Sequence, residues 1–369
     1  MNIPLSAPDI TDSEIAAVTD VLRTSRLSLG PRLTEFESAF AHYNGTPHAI
    51  AVSSGTAGLH LCIRALNIGP GDEVLVPSFT FIAAANAIRY ERATPVFVDI
   101  SPTTLNLDPA QIESAITPRT RAILVVHTFG VPADMPAILD IARRHNLLVI
   151  EDACEAIGAS LHNRRVGCFG DAAVFAFYPN KQITTGEGGM VVTRNAALAD
   201  RIRALRNQGR YPTDDWLQHS ELGYNYRLSE MNCALGITQL QRIDAILDAR
   251  AAVARGYQER LQNLPLTLPP LELPHARISW FVYVVRLHDR YSQPQRDALL
   301  HALSAHGIGC ARYFAPIHLQ PAYSDWNSLD LPVTQSVAAR TLALPFFNRL
   351  TAEQQDYVCD TLARELRRF

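Results

Sequence analysis

From about residue 48 onward, short runs that are apolar throughout alternate with stretches whose apolar residues recur at helical spacing. HAIAVSS is followed by TAGLHLCIRAL, EVLVPS by FIAAANAIRY, TPVFVDI by DPAQIESAI and RAILVVH by MPAILDIARRH, and LLVIED closes the series. A strand without polar alternation is covered on both faces, and a helix between successive strands is how parallel neighbours are joined. The pattern therefore predicts an α/β domain built on a mostly parallel sheet between helices. Two helices precede it. TDSE (Thr11 to Glu14) has the form of a capping box ahead of Ile15, Val18 and Leu22, and LTEFESAFAHY sets Phe36 and Phe40 one turn apart. Beyond LLVIED, VFAFY and GGMVVT read as two more strands, and Ser229 to Leu264 reads as one long helix. The Pro-rich LPLTLPPLELPH marks passage into a smaller C-terminal α/β domain containing SWFVYVVRL as a strand and PQRDALLHALSAHG and TAEQQDYVCDTLARELRR as helices. The expected division is a large domain over residues 1–245 and a small one over residues 246–369, reached through the long helix.

Composition narrows the classes. With 369 residues, 47% of them apolar and 19% charged, the chain has ordinary globular composition and is long enough for a large domain and a smaller one. A formal net charge of −3 gives nucleic acid no electrostatic footprint. The six cysteines (Cys62, Cys154, Cys168, Cys233, Cys310 and Cys359) are scattered with no C-x-x-C pair, which predicts reduced thiols and no metal site. The first residues lack a basic-then-apolar leader, and no run is long and apolar enough for a bilayer, so the expectation is a soluble, cytoplasmic protein without a membrane partner.

The chemistry concentrates at strand ends, where open α/β sheets hold their ligands. In VFAFYPNKQITTGEGGMVVT, Lys181 lies between two apolar runs, and a buried ammonium is costly unless it is paired or used. SSGTAG follows a strand and opens a helix, so Gly55, Thr56 and Ala57 present backbone N–H groups at a helix N-terminus, a seat for phosphate. Asp152 ends LLVIED, and Phe81 in PSFTFIAAANAI follows another strand. Singly, each has a plain structural reading: a helix cap, a surface lysine, a turn, a core ring. Together, a phosphate seat, a carboxylate for a pyridine nitrogen, a lysine for an aldehyde and a ring to cover the cofactor are what pyridoxal phosphate requires.

These residues sit in an ordered set of motifs. LSLGPRLTEFESAFA, SSGTAGLHL, PSFTFIAAANAI, TPVFVDI, IEDACEAIGA, FAFYPNKQITTGEGGMVVT, LGYNYRLSEMNCALG and RYFAPIHLQPAY resemble, nearly end to end, the DegT/StrS family of sugar aminotransferases within fold type I of the pyridoxal-phosphate enzymes. The resemblance implies a seven-stranded large-domain sheet and a homodimer with shared active sites. It implies pyridoxal 5′-phosphate held as an internal aldimine by Lys181, with pyridoxamine 5′-phosphate as the intermediate form. By the same resemblance Asp152 pairs with the pyridine nitrogen, Phe81 stacks on the ring, and Gly55, Thr56 and Ala57 hold the phosphate. Glu155 stands near the ring hydroxyl, where the family often has Gln or His. Asn225 reaches the phosphate from the second subunit with Arg227 beside it, Tyr313 and His318 are candidate contacts for the sugar or its diphosphate, and Arg227 is a third candidate for the substrate. Ala176 occupies a position where many members carry a phosphate-binding serine, so Ser53, Ser54 or water must supply that bond.

The implied reaction moves an amino group from L-glutamate to a keto-sugar, a nucleotide-linked keto-deoxyhexose, in amino-sugar, polysaccharide or glycoside biosynthesis. A dehydratase or lyase of the same fold acting on a sugar or cyclitol, and a non-catalytic regulatory relative, are the alternatives; the intact Lys181 favours transamination. The polar loop from Arg210 to Asn225 is long enough to reach a neighbouring site, and Arg164 and Arg165 read as a solvated hairpin tip.

Overall fold

The computed structural model describes residues 1–368. α1 (Asp12–Leu22) carries the predicted capping box between Thr11 and Glu14. α2 (Pro31–Asn44) opens on a proline and closes at Gly45, whose φ of 81° is one that side chains disfavour. The amides at the start of α2 are satisfied from far along the chain: the Glu230 carboxylate accepts N–H groups of Gly30, Arg32 and Leu33.

The predicted alternation follows as β1 (His48–Val52), α3 (Gly55–Ala65), β2 (Glu73–Pro77), α4 (Ala83–Tyr90), β3 (Thr94–Val98), α5 (Pro109–Ala115), β4 (Thr120–Val126), α6 (Met135–Arg144) and β5 (Leu148–Asp152). A short hairpin of β6 (Ser160–Leu161) and β7 (Arg164–Arg165) precedes β8 (Ala172–Ala176) and β9 (Gly189–Thr193). The seven-stranded sheet runs β1-β9-β8-β5-β4-β2-β3, parallel except for β9, which is antiparallel to both β1 and β8. Because β9 returns antiparallel, Val52, Ala176 and Asp152 end their strands on one edge. The connection from β8 to β9, which carries Lys181, leaves and re-enters the sheet at that edge.

After α7 (Ala196–Arg206) the predicted long helix is in fact two, α8 (Glu230–Gln241) and α9 (Ile243–Leu261). The break falls at Arg242, with φ −102° and ψ 6°, where the guanidinium is drawn to Asp9 and Glu14. The expected domain boundary lies just inside α9. The remaining chain forms β10 (Leu266–Thr267), β11 (Ala276–Arg277), β12 (Tyr283–Leu287), α10 (Gln293–Ala305), α11 (Pro332–Ala338), β13 (Thr341–Leu344) and α12 (Ala352–Leu366). β10, β12 and β13 make a small antiparallel sheet, while β11 adds to the β6–β7 hairpin and so crosses back to the first half of the chain. Apolar side chains of α9, α10, α12 and the small sheet form a core of their own, distinct from those on the two faces of the large sheet. No helix among the described residues is long and apolar enough to cross a membrane.

Candidate active site

A cavity of about 330 Å³ opens at the carboxyl edge of the large sheet and is lined by Gly55, Thr56, Phe81, Asp152, Glu155 and Lys181, among others. It brings together residues from the ends of β1, β2, β5 and β8. A larger, shallower groove of about 850 Å³ lies between α2, the β6–β7 hairpin and α8. That groove holds none of the predicted site residues. Two of its arginines are engaged, Arg165 over the Tyr43 ring and Arg164 on the Cys168 carbonyl, and the groove brings no lysine, carboxylate and helix N-terminus together as the smaller cavity does.

The side chain of Lys181 does not run out to solvent; it is 13% exposed, with Nζ 3.6 Å from Glu155 Oε1 and 3.9 Å from the centroid of the Phe281 ring. Glu155 is buried, and its other oxygen accepts the Phe129 N–H at 2.9 Å. Burial pushes the Glu155 carboxyl above its ordinary value, with Lys181 acting in the opposite direction. Asp152, the last residue of β5, accepts the Cys154 N–H at 3.1 Å. Burial raises its carboxyl too, and the more distant charge of Lys181 offsets this only in part. A buried acid in that condition favours a cationic N–H donor, which a protonated pyridine is.

The N-terminus of α3 supplies the anion seat. Ser54 caps the helix by accepting the Ala57 N–H at 3.1 Å, which leaves its own hydroxyl proton free to donate. The N–H groups of Gly55 and Thr56 belong to the first turn and have no partner within the helix. Gly55 is required by packing: a Cβ there would come within 2.8 Å of Ala176 Cβ and 2.9 Å of Cys154 Sγ. The absent hydroxyl at Ala176 is thus matched by a close approach of α3 to β8. Phe81 lines the cavity and is 60% exposed as a residue, an aromatic side chain beside the acid and the amine. Anion seat, aromatic slab, buried acid and sequestered amine together fit pyridoxal phosphate.

Other predicted residues lie elsewhere. Tyr313 lines the cavity, and burial raises its phenol. His318 does not reach the cavity. It is fully buried, with Nδ1 2.7 Å from Ser78 Oγ and its ring packed near Phe97, so the expected sugar contact is replaced by an interior position. Asn225 is exposed and outside the cavity of its own chain, bridged through its backbone to Asn207, while Arg227 donates to Asn207 Oδ1 at 3.1 Å. The cavity also contains Tyr178, Asn180, Glu187 and Phe281, which the sequence did not single out. Asn180 and Tyr178 stand next to Lys181 and were open to inference from that nearness. Phe281, a hundred residues away inside an apolar run, carried no such signal.

The model of the DegT/DnrJ/EryC1/StrS aminotransferase family matches residues 8–363. The chain is 43% identical to GDP-perosamine synthase of Caulobacter vibrioides, over 99% of this chain and 98% of that one. It is 38% identical to the spore coat polysaccharide biosynthesis protein SpsC of Bacillus subtilis, over 98% and 96% of the two chains. Among solved structures, the putative sugar aminotransferase Spr1654 of Streptococcus pneumoniae superposes in its PLP form with a TM-score of 0.95 at 26% identity, covering 100% of this chain and 99% of that one. Its PMP form also superposes with a TM-score of 0.95.

Proposed function

The chain belongs to the DegT/DnrJ/EryC1/StrS aminotransferase family, and from that premise we propose that it moves the amino group of L-glutamate to a nucleotide-linked keto-deoxyhexose, using pyridoxal phosphate bound at the carboxyl edge of the large sheet. The observation that carries the reading is the sequestered amine of Lys181 in one cavity with Asp152, Phe81 and the N-terminus of α3.

When bound, pyridoxal phosphate supplies an aldehyde that passes between amines and a ring that takes up the electron pair left at the α-carbon. Asp152 keeps the ring nitrogen protonated, and Phe81 covers one ring face. Ser54, Gly55, Thr56 and Ala57 hold the phosphate. Lys181 Nζ is the resident amine. With the cofactor bound and L-glutamate in place, the freed Nζ would act as the base that takes the α-proton from the donor and carries it to the cofactor carbon. With the keto-sugar as acceptor, Lys181 would carry the proton in the opposite direction. Glu155, anchored by the Phe129 N–H, keeps Nζ directed into the cavity between proton transfers.

The site is completed by a second copy of the chain. Asn225 is exposed and outside the cavity of its own chain, and the nearby turn at Leu27 and Leu29, paired through Ser28 with Ser229, is apolar and exposed as well. Trp216, Leu217 and Leu222 in the loop before Asn225 are exposed as well. Exposed apolar surface of this extent supports contact with another chain. The two sheets with their separate cores support a large cofactor-binding domain and a small C-terminal one meeting within α9. The relatives involved in making GDP-perosamine and spore coat polysaccharide support amino-sugar synthesis as the setting.

The test is to supply cofactor-loaded protein with L-glutamate and, in turn, GDP-, UDP- and dTDP-linked keto-deoxyhexoses, and to measure 2-oxoglutarate and amino-sugar nucleotide together. Equal amounts of both products with one of the acceptors is the expected result. Loss of water from the sugar without 2-oxoglutarate would overturn transamination in favour of a dehydratase.

A further inference from the structure

The Lys181 amine is held from two sides, and one of the two is assembled from the far end of the chain. Glu155 approaches from the loop after β5, at 3.6 Å. The face of Phe281, 3.9 Å away, comes from the segment just ahead of β12. Asp152, Cys154, Tyr178, Glu187 and Tyr313 are the other titratable groups lining the same space. A ring face attracts a nearby cation, but only if the ring is kept where the amine is.

Phe281 is fixed through its backbone. Arg250 on α9 donates Nε–H to the Trp280 carbonyl at 2.7 Å and Nη2–H to the Phe281 carbonyl at 2.8 Å. Its remaining nitrogen donates to Asn348 Oδ1 at 3.0 Å. Arg250 is 2% exposed, and among the described residues it has no carboxylate in salt-bridge contact; burial pulls its guanidinium down to about 10. A buried cation kept without an anion is expensive, and here its fork geometry is spent on two consecutive carbonyls.

The preceding residue is gripped from the opposite side. Gln182, next in sequence to Lys181, donates through Nε2 to Ser279 Oγ at 3.0 Å and to the Glu155 carbonyl at 2.6 Å. Ser279 in turn donates its hydroxyl to the Ile157 carbonyl at 2.6 Å and its N–H to the Gly130 carbonyl at 3.0 Å. Gly130 has φ 85°, and a Cβ there would lie 1.6 Å from the Ser279 carbonyl oxygen, so only glycine permits this approach. The two loops bearing Lys181 and Glu155 and the segment bearing Phe281 are therefore joined by a closed set of hydrogen bonds.

We propose that Arg250 and Gln182 are positioning residues for the reaction: they hold the Phe281 ring against the Lys181 amine, and so fix the path along which that amine moves its proton. The inference rests on the reading of Lys181 given above, and it ties the rate of proton transfer to the junction between α9, the segment 279–281 and the large sheet.

The test uses cofactor-loaded wild type, Lys181→Ala, Phe281→Leu, Phe281→Tyr, Gln182→Ala and Arg250→Lys. Two readouts separate positioning from general stability. One is the visible circular dichroism per bound cofactor, which reports how rigidly it is held. The other is the isotope effect with α-deuterated L-glutamate in a single half-reaction. Phe281→Leu and Gln182→Ala should remain folded and keep near-wild-type affinity for glutamate. They should lose about half or more of the visible dichroism and slow proton transfer about tenfold, with a larger isotope effect. Phe281→Tyr, which keeps the ring, should restore both signals. Wild-type dichroism and rate in Phe281→Leu, while Lys181→Ala abolishes the visible band, would overturn the positioning role alone. A visible band that survives in Lys181→Ala and still responds to glutamate would overturn the underlying reading as well. Should Arg250→Lys fail to fold, Phe281→Leu and Gln182→Ala decide the matter.

Discussion

Lys181 Nζ lies between the Glu155 carboxylate and the Phe281 ring, within reach of a cavity whose other walls are an exposed aromatic ring and the end of a helix. That placement separates residues that touch the chemistry from those that only support it. His318 belongs to the second group. Fully buried and bonded to Ser78, it makes a structural contribution, and burial holds its imidazole below the ordinary value, in favour of the neutral form. His318→Ala should destabilise the fold by about 2–3 kcal/mol, as for other buried truncations, and leave KM for the keto-sugar within about twofold. Thermal melts and steady-state kinetics check both halves, and a KM raised well beyond that with an unchanged melt would return His318 to the substrate. Sequence reasoning separated these cases unevenly. Lys181 and Asp152 were legible because one lies between two apolar strands and the other ends one, each a charge that burial would penalise. His318 was not, because a lone histidine in a short loop flanked by prolines reads equally well as a ligand contact or as an interior residue. Phe281 was hidden for the opposite reason, being one more ring among apolar neighbours.

At the scale of elements, a buried acid is one of the ties between the N-terminal helix and the body. Burial by itself would raise the Glu14 carboxyl, but hydrogen bonds from Thr11, Gln239 and Arg242 bring it down to about 2. The folded-state value lies below the unfolded one, so the contribution is complete above about pH 4.5 and is lost as the pH falls toward 2. A difference of that size corresponds to about 3 kcal/mol. Glu14→Gln should lower stability at neutral pH by about 2 kcal/mol, the usual worth of charged hydrogen bonds. It should also remove much of the wild type's acid dependence in that window. Urea unfolding followed from neutral pH into that range measures both, and an unchanged acid profile would contradict the assignment. The same contacts explain a feature the sequence concealed. Ser229 to Leu264 is uniformly helix-forming, so nothing local announces the break at Arg242, which is set by the pull of Asp9 and Glu14 on its side chain. The parallel strands, by contrast, were readable from their uninterrupted apolar runs, whereas β13, four residues in ARTLALPFF, was too short to stand out.

For the molecule as a whole, the shared site is the consequential claim. One chain supplies Lys181 and the seat at α3, and Asn225 faces outward beside exposed apolar surface. Lys181→Ala and Asn225→Ala should each be inactive or severely impaired alone. Mixed and allowed to exchange subunits, they should recover about a quarter of wild-type activity, since half the dimers are mixed and each mixed dimer has one intact site of two. Activity of the mixture that never exceeds the average of the two mutants would mean that each chain completes its own site.

The central claim is that Lys181 holds the cofactor and releases it to an amino donor. The most direct measurement is the visible absorption of the cofactor-loaded protein, before and after L-glutamate, beside the same experiment on Lys181→Ala. The account predicts a visible band in the wild type that disappears with glutamate as 2-oxoglutarate is formed, and no such glutamate-responsive band in the mutant. A wild-type band that glutamate leaves unchanged, or a mutant that behaves as the wild type does, would contradict it.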